Sequence, residues 1–171
     1  LELSAQKMGA FARKVGAIRE AGDADKFAKT AAAGREYLTA CLKDAERVSK
    51  DHAQRLKRHG GELGKRFAGQ IKELEQRLGA IESTHGDVNE AAHRRLQNAT
   101  PAEAEAIKSE LSAQLRQLRE KGEITERKLH EIHRERESLQ HQIERGLVSV
   151  KKAMGELHRA AGVLEESITT K

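Results

Sequence analysis

Apolar residues recur along this chain at alternating spacings of three and four, with polar residues filling the positions between them. Because an α-helix has 3.6 residues per turn, such spacing places the apolar residues in one stripe along one side of a helix. The pattern first appears over residues 1–21, where it predicts a short amphipathic helix. Gly22 suits the end of that helix, and Asp23 or Asp25 suits the N-cap of the next one.

Two longer runs follow, one over residues 26–97 and one over residues 101–168. Their heptad spacing is typical of coiled coils, in which paired helices bury a shared apolar seam. At a rise of 1.5 Å per residue, the last run would form a helix roughly 100 Å long. Its strict heptads consist of Leu118, Gly122, Thr125, Leu129, Ile132, Arg136, Leu139, Ile143, Gly146 and Val150.

The segment Asn98–Glu103 separates the two long runs. Thr100 can cap the following helix, Pro101 fits its first turn, and Glu103 completes a capping box. Helices joined by a short loop become antiparallel neighbours. The sequence therefore predicts an all-α fold, namely a long antiparallel coiled-coil helical hairpin with the short first helix packed at its open end.

The glycine pair Gly60-Gly61 lies in the middle of the second run. Pairing about the turn puts it opposite residues 137–139 and sets the nearby basic residues against Glu135, Glu137 and Glu144. Glycine costs a helix about 1 kcal/mol relative to alanine, so the sequence leaves open whether the long helix continues through this pair or breaks there. The alternative fold is a shorter four- or five-helix bundle, which forms if the long helix breaks at this pair.

The composition fits a helical seam better than a compact globule. Of the 171 residues 35% are charged and only 2% are aromatic, with a single proline. We expect one elongated helical unit over residues 1–171, and a fragment of a larger protein because the chain begins at Leu1. No apolar run is long enough for a transmembrane helix, and no signal peptide is visible. The compartment stays open between the cytoplasm and export without a visible signal.

The formal net charge of +5 is modest, but basic residues concentrate in one stretch of the second run. Such a cluster can contact the phosphates of nucleic acid or an anionic membrane surface. No aromatic residues are interleaved for base stacking, and charge runs are usually solvated faces paired with acids. The candidate anion-contact residues are Arg55, Lys57, Arg58, His59, Lys65 and Arg66.

The first helix combines apolar and basic residues in a pattern that suits a membrane surface or a partner protein. A bundle helix packed on the hairpin would show the same pattern, and we favour packing. The candidate membrane or partner contacts are Met8, Phe11, Arg13, Lys14, Val15 and Ile18.

Nothing in the sequence points to an enzyme, and we expect no catalytic residues, no cofactor and no metal. There is no glycine-rich phosphate loop and no Ser-His-Asp arrangement. Cys41 lies on the seam, which favours a small buried residue over a nucleophile. One set of possible metal ligands follows helical spacing, namely Glu126, His130, His133 and Glu137. Because His130 lies at an outward heptad position, an exposed polar face is favoured over a zinc site.

The leading hypothesis is a non-enzymatic coiled-coil structural or protein-interaction module that acts as a rigid spacer or assembly platform. Its partner is a protein that packs helices on it, and a homo-oligomer is expected. The first alternative is a basic helical module that binds an anionic membrane surface or nucleic acid.

A second alternative comes from a resemblance in layout. The short leading helix, the break at Gly22-Asp23 and the hairpin turning at Asn98–Glu103 resemble the coiled-coil region of bacterial type III secretion translocators. The resemblance covers the whole chain but includes no diagnostic motif. It implies a part of a secretion-system translocator or effector.

Overall fold

A computed structural model describes residues 1–169, and over these residues the chain is all-helical, with no strand. Three helices pack against each other: α1 (Glu2–Glu20), α2 (Ala24–Leu96) and α3 (Pro101–Thr169). Each end lies within two residues of the end that the apolar pattern predicts. The helices form two compact units. The three-helix unit contains Leu1–Gly60 and His141–Lys171, described up to Thr169, and the two-helix unit contains Gly61–Gln140.

The turn between α1 and α2 is built on one glycine. Gly22 has a φ of +74°, the left-handed conformation that L side chains rarely adopt, and its N–H donates to the carbonyl of Arg19. Asp23 then caps α2, because its Oδ1 accepts a hydrogen bond of 3.0 Å from the backbone N–H of Lys26. The structure thus confirms Gly22 as the stop and selects Asp23, rather than Asp25, as the cap.

The turn between α2 and α3 contains the predicted capping box. The carboxylate of Glu103 accepts the backbone N–H of Thr100 at 2.8 Å, and the Thr100 hydroxyl accepts the N–H of Glu103 at 3.5 Å. Pro101 is the first residue of α3, where its missing N–H costs nothing. The carboxyl pKa of Glu103 is lowered, chiefly by hydrogen bonds from the Thr100 side chain and backbone.

The core of the three-helix unit is a layer of aliphatic residues from all three helices. Met8, Val15, Leu157 and Leu164 are fully buried there. Small residues fill the spaces between them, so that the helices approach closely. The buried core consists of Met8, Ala12, Val15, Ala31, Ala45, Leu157, Ala161, Leu164 and Ile168.

Within this unit, α2 and α3 interlock where one helix lacks a side chain. A Cβ added at Gly146 would lie 3.0 Å from Cδ1 of Leu56, and one added at Gly60 would overlap Cδ1 of Ile143. The leucine and the isoleucine therefore occupy the space that each glycine leaves open. This contact places Gly60 one helical turn away from its predicted position opposite residues 137–139, so the predicted register is wrong by that amount.

The two-helix unit buries less of its seam. Within it, Ile71, Leu74, Ala92 and Ile107 are its buried hydrophobic residues. The Arg95 guanidinium donates to the Glu110 carboxylate at 2.9 Å and joins α2 to α3. Most of the other apolar residues on the seam are only half-buried, because no third helix covers them within this unit.

The helix α2 continues through Gly60-Gly61 without interruption. The alternative fold, a four- or five-helix bundle that requires a break at this pair, is therefore wrong. The reason is that packing outweighs intrinsic propensity: two glycines cost a helix about 2 kcal/mol together, whereas the glycine at position 60 admits the Ile143 side chain.

The two adjacent glycines allow a matched test of this packing. Nothing lies within 4 Å of a Cβ added at Gly61. We therefore expect Gly61→Ala to raise the free energy of unfolding by about 0.5–1 kcal/mol through helix propensity. At Gly60 the same change overlaps Cδ1 of Ile143, the end of a flexible side chain that must then shift, so we expect Gly60→Ala to stabilise the chain less than Gly61→Ala does. Denaturant unfolding followed by circular dichroism measures both values.

The second arm of this test removes the overlapping atom. Ile143→Val deletes Cδ1, and in that background Gly60→Ala should stabilise the chain as much as Gly61→Ala does. Equal stabilisation by Gly60→Ala and Gly61→Ala in the unmodified chain would show that Ile143 does not occupy the space at Gly60.

Candidate functional site

The predicted anion-contact residues all lie exposed on α2. Arg55, Lys57, Arg58 and His59 belong to the three-helix unit, and Lys65 and Arg66 belong to the two-helix unit. None of them forms an ion pair with any other described residue.

The expected pairing of this basic stretch with acids on α3 is wrong. Of the three glutamates, Glu144 instead lies 3.6 Å from His141 on its own helix. The difference in register moves the acids by a turn, and exposed pairs of long side chains gain little from holding one geometry. The basic side chains consequently face solvent with their charge uncompensated by a neighbour.

The predicted contacts on α1 divide into two groups. Met8, Val15 and Ile18 are buried in the core, whereas Arg13 and Lys14 are exposed. The apolar side of α1 is thus already occupied by packing within the chain. A membrane or partner contact through it stays a prediction that requires α1 to leave the core.

Phe11, the remaining residue of that set, is half-buried and stacks on the ring of Tyr37 with centroids 5.9 Å apart. Tyr37 in turn lines a recess of about 320 Å³ together with Cys41, Leu1 and Val48. The pKa of Tyr37 is raised to about 12, first by hydrogen bonding with the Cys41 side chain, then by burial and by the charge of Cys41. All three effects disfavour the phenolate.

A groove of about 450 Å³ runs between α2 and α3 in the two-helix unit. Leu78, Ile81 and Leu118 form its apolar floor, and all three are only half-buried. Gly122 lies in the groove, and a Cβ added there would meet nothing within 4 Å. The space above these residues is therefore open to a side chain from outside. The polar rim consists of Glu82, His85, Arg119, Glu123 and Glu126.

The same face of α3 extends towards the start of the helix. A depression of about 410 Å³ there is lined by Lys108, Leu111, Ser112, Leu115, Arg116 and Arg119, so that Arg119 is shared with the groove. Along this face the cations come first and the anions follow. We call the α3 residues that line the groove and this depression the α3 face.

A smaller groove of about 220 Å³ also lies in the two-helix unit. Leu74 and Ile132 form its apolar part, and charged residues including Arg77 and Lys128 surround them. Leu74 is buried, unlike the floor of the larger groove. The larger groove accordingly offers more exposed apolar surface.

Neither a metal site nor a membrane span is found in the part of the chain that the structure describes. No three histidine, cysteine, aspartate or glutamate side chains come together there as ligands for an ion. Over residues 1–169, none of the helices is apolar enough over a sufficient length to cross a bilayer.

The heptad pattern places Leu118 and Gly122 on the seam but does not predict the groove. Their heptad positions imply burial, and only the structure shows that the two-helix unit leaves them half-exposed. The charges on the α3 face lie outside the seam and were not recognised as a group. The signal that would have identified these residues is the order of their charges along one helix face, with the basic residues before the acidic ones.

Comparisons of this chain with protein-family models, with curated proteins and with solved structures find no match. The resemblance in layout to type III secretion translocators therefore stays a prediction.

The raised pKa of Tyr37 can be measured directly, because Tyr37 is the sole tyrosine and the chain has no tryptophan. We expect the phenolate absorbance to titrate with a midpoint near 12 instead of the ordinary 10. Because the pKa of Tyr37 is higher in the folded state than in the unfolded state, the protonated phenol stabilises the fold. This stabilisation is complete below pH 10 and is lost as the pH rises towards 12.

The variant Cys41→Ala removes the main cause, so the midpoint should fall towards 10. Ser4→Ala alters the same recess without touching that hydrogen bond and should leave the midpoint in place. An unchanged midpoint in Cys41→Ala would mean that Cys41 does not control the phenol.

Proposed function

We propose that this chain is a non-enzymatic protein-interaction module in which α2 and α3 form an antiparallel coiled-coil hairpin. Contacts between α2 and α3 support the hairpin. In the three-helix unit Leu56 meets Gly146 and Gly60 meets Ile143, so residue numbers rise along α2 as they fall along α3. Antiparallel helices with interdigitating large and small residues are the expected geometry of such a hairpin.

The observation that carries the proposal is the exposure of the seam in the two-helix unit. In the three-helix unit α1 covers the seam, and residues such as Leu157 and Leu164 are completely buried. In the two-helix unit Leu78, Ile81 and Leu118 stay half-buried around an open groove. A further helix packed on that groove would bury them, as α1 does elsewhere in the chain.

The energy available from such packing is substantial. Completely burying a leucine or isoleucine side chain contributes about 1.5–3 kcal/mol relative to leaving it exposed, so half-buried residues retain part of that gain. Gly122 lets a partner's side chain enter the groove beside the backbone of α3. The proposed role is therefore that of an assembly platform, which presents an apolar helical surface to a partner protein.

The experiment tests whether the groove is a protein-binding site. A benzophenone group is attached at Gly122→Cys in a Cys41→Ala background, and the chain is irradiated in an extract of the cells that make it. We expect one discrete protein adduct. The matched control is Gly79→Cys, which lies on α2 in the same unit with open space at its Cβ but outside the groove.

The partner in the adduct is then purified and its binding to the full chain is measured. We expect Gly122→Glu to weaken the binding at least about tenfold, because a buried unpaired charge is costly, whereas Gly79→Glu should not. Equal labelling at both positions, or no adduct at position 122, would rule out the groove as a docking site.

A second candidate function is anion binding by Arg55, Lys57, Arg58 and His59, and one observation favours it. These side chains are exposed and none of them pairs with a described acid, so their charge is available to an external partner. A cluster of this kind binds phosphates with an affinity that falls steeply as salt is added.

The second candidate predicts binding to duplex DNA or to phosphatidylserine vesicles at low salt. We expect Arg55→Gln with Arg58→Gln to weaken that binding roughly tenfold, whereas Lys43→Gln with Lys50→Gln, an exposed pair on the same helix, should have a smaller effect. Fluorescence titration at several salt concentrations measures both. The candidate fails if neither surface binds the unmodified chain at low salt.

A further inference from the structure

The charges on the α3 face are separated along the helix. Arg116 and Arg119 come first, and Glu123 and Glu126 follow after Gly122. Arg116, Arg119 and Glu126 have no ion pair with any described residue. Glu123 has one, at 3.5 Å to the exposed Arg127 of its own helix. The face therefore presents a positive half and a negative half, with little internal compensation.

A surface of this kind is complementary to itself under a two-fold rotation. When two copies of one helix face pack antiparallel, the first half of each lies against the second half of the other. With the axis between Arg119 and Glu123, Arg119 opposes Glu123 of the second copy and Arg116 opposes Glu126. Each pair occurs twice. A parallel arrangement would instead oppose like charges, which is destabilising.

We infer that the helix that covers this groove is α3 of a second copy of the chain, packed antiparallel on the α3 face with the two-fold axis beside Gly122. The inference rests on the proposed function of helix packing and names its partner. It goes further in fixing the direction, the register and the four interchain ion pairs.

Gly122 makes a close approach at the axis feasible. Nothing lies within 4 Å of a Cβ added there, so the backbone of a second α3 can come nearer than at a residue with a side chain. The half-buried Leu115 lines the depression, the half-buried Leu118 lines the groove, and both supply apolar surface to the contact. Apolar burial then provides the affinity, and the charges fix the direction of packing.

Two reversal variants of the full chain test this inference. Variant one carries Arg116→Glu and Arg119→Glu, and variant two carries Glu123→Arg and Glu126→Arg. We expect the unmodified chain to dimerise with rising concentration in sedimentation velocity. Each variant alone should dimerise roughly 100-fold more weakly, because like charges then face each other across the axis.

The decisive result comes from mixing the two variants. An equimolar mixture places only glutamates on one face and only arginines on the other, so it should form a heterodimer at concentrations where neither variant dimerises. The control is Lys121→Glu with Lys128→Glu, which changes the net charge as much as variant one but alters exposed residues outside the α3 face. It should dimerise like the unmodified chain.

A monomeric unmodified chain at the highest concentration would overturn the inference, and so would a mixture that stays monomeric. These failures leave the proposed function testable by itself. If position 122 cross-links to a different protein while the chain stays monomeric, the groove is a docking site for another partner. If the chain dimerises but the reversals have no effect, the copies associate through another surface and the inference is wrong.

Discussion

Two helices alone cannot bury the seam that they share, and the rest of this structure follows from that geometric constraint. A helix pair covers each seam residue from one side, so part of every leucine or isoleucine stays in contact with water. Where α1 lies over α2 and α3, Met8 and Leu164 become inaccessible to solvent. In residues 61–140, where no third helix of the chain is present, Leu78 and Leu118 keep contact with solvent. The seam residues of the two units thus differ in burial because the units contain different numbers of helices, and not because the seams are built from different types of residue.

Glycine determines how closely the helices approach in the three-helix unit. Gly34 lies against Phe11 and Ile168, with an added Cβ only 3.1 Å from the isoleucine. Gly60 and Gly146 admit large aliphatic side chains from the opposite helix in the same way. A residue that lowers the intrinsic stability of a helix therefore contributes to the stability of the bundle. Gly122 differs, because the space above it holds no side chain of the described residues.

The sequence was sufficient to predict the helices and their ends, since apolar periodicity and capping residues act locally. Gly22, Asp23 and Thr100 each do what their chemistry predicts. Register could not be predicted in this way, because a shift of one helical turn keeps an apolar seam facing its partner. The sequence also could not decide whether α2 continues through Gly60, since the helix propensity of a residue does not reveal what packs against it.

The candidate groove was inaccessible to sequence reasoning for a related reason. A heptad pattern identifies residues that prefer burial, but the degree of burial depends on how many helices surround them. Leu118 and Leu157 occupy seams of the same kind, yet Leu157 is completely buried and Leu118 is not. The number of neighbouring helices is a tertiary property, and in a chain of three helices of unequal length it differs from one place to another.

The charged side chains on the surface fall into two classes, those with an ion-pair partner on the same helix and those without a local partner. Most ion pairs join residues three or four apart on one helix, as Arg77 and Glu73 do, and such exposed pairs contribute only about 0.2–0.5 kcal/mol each. Such pairs carry little information about partners. The charges without a local partner, such as Arg58 and Arg119, differ because nothing within the described chain compensates them. Specificity in a helical module of this composition must come from that second class, since the apolar seam itself would accept any amphipathic helix of suitable length.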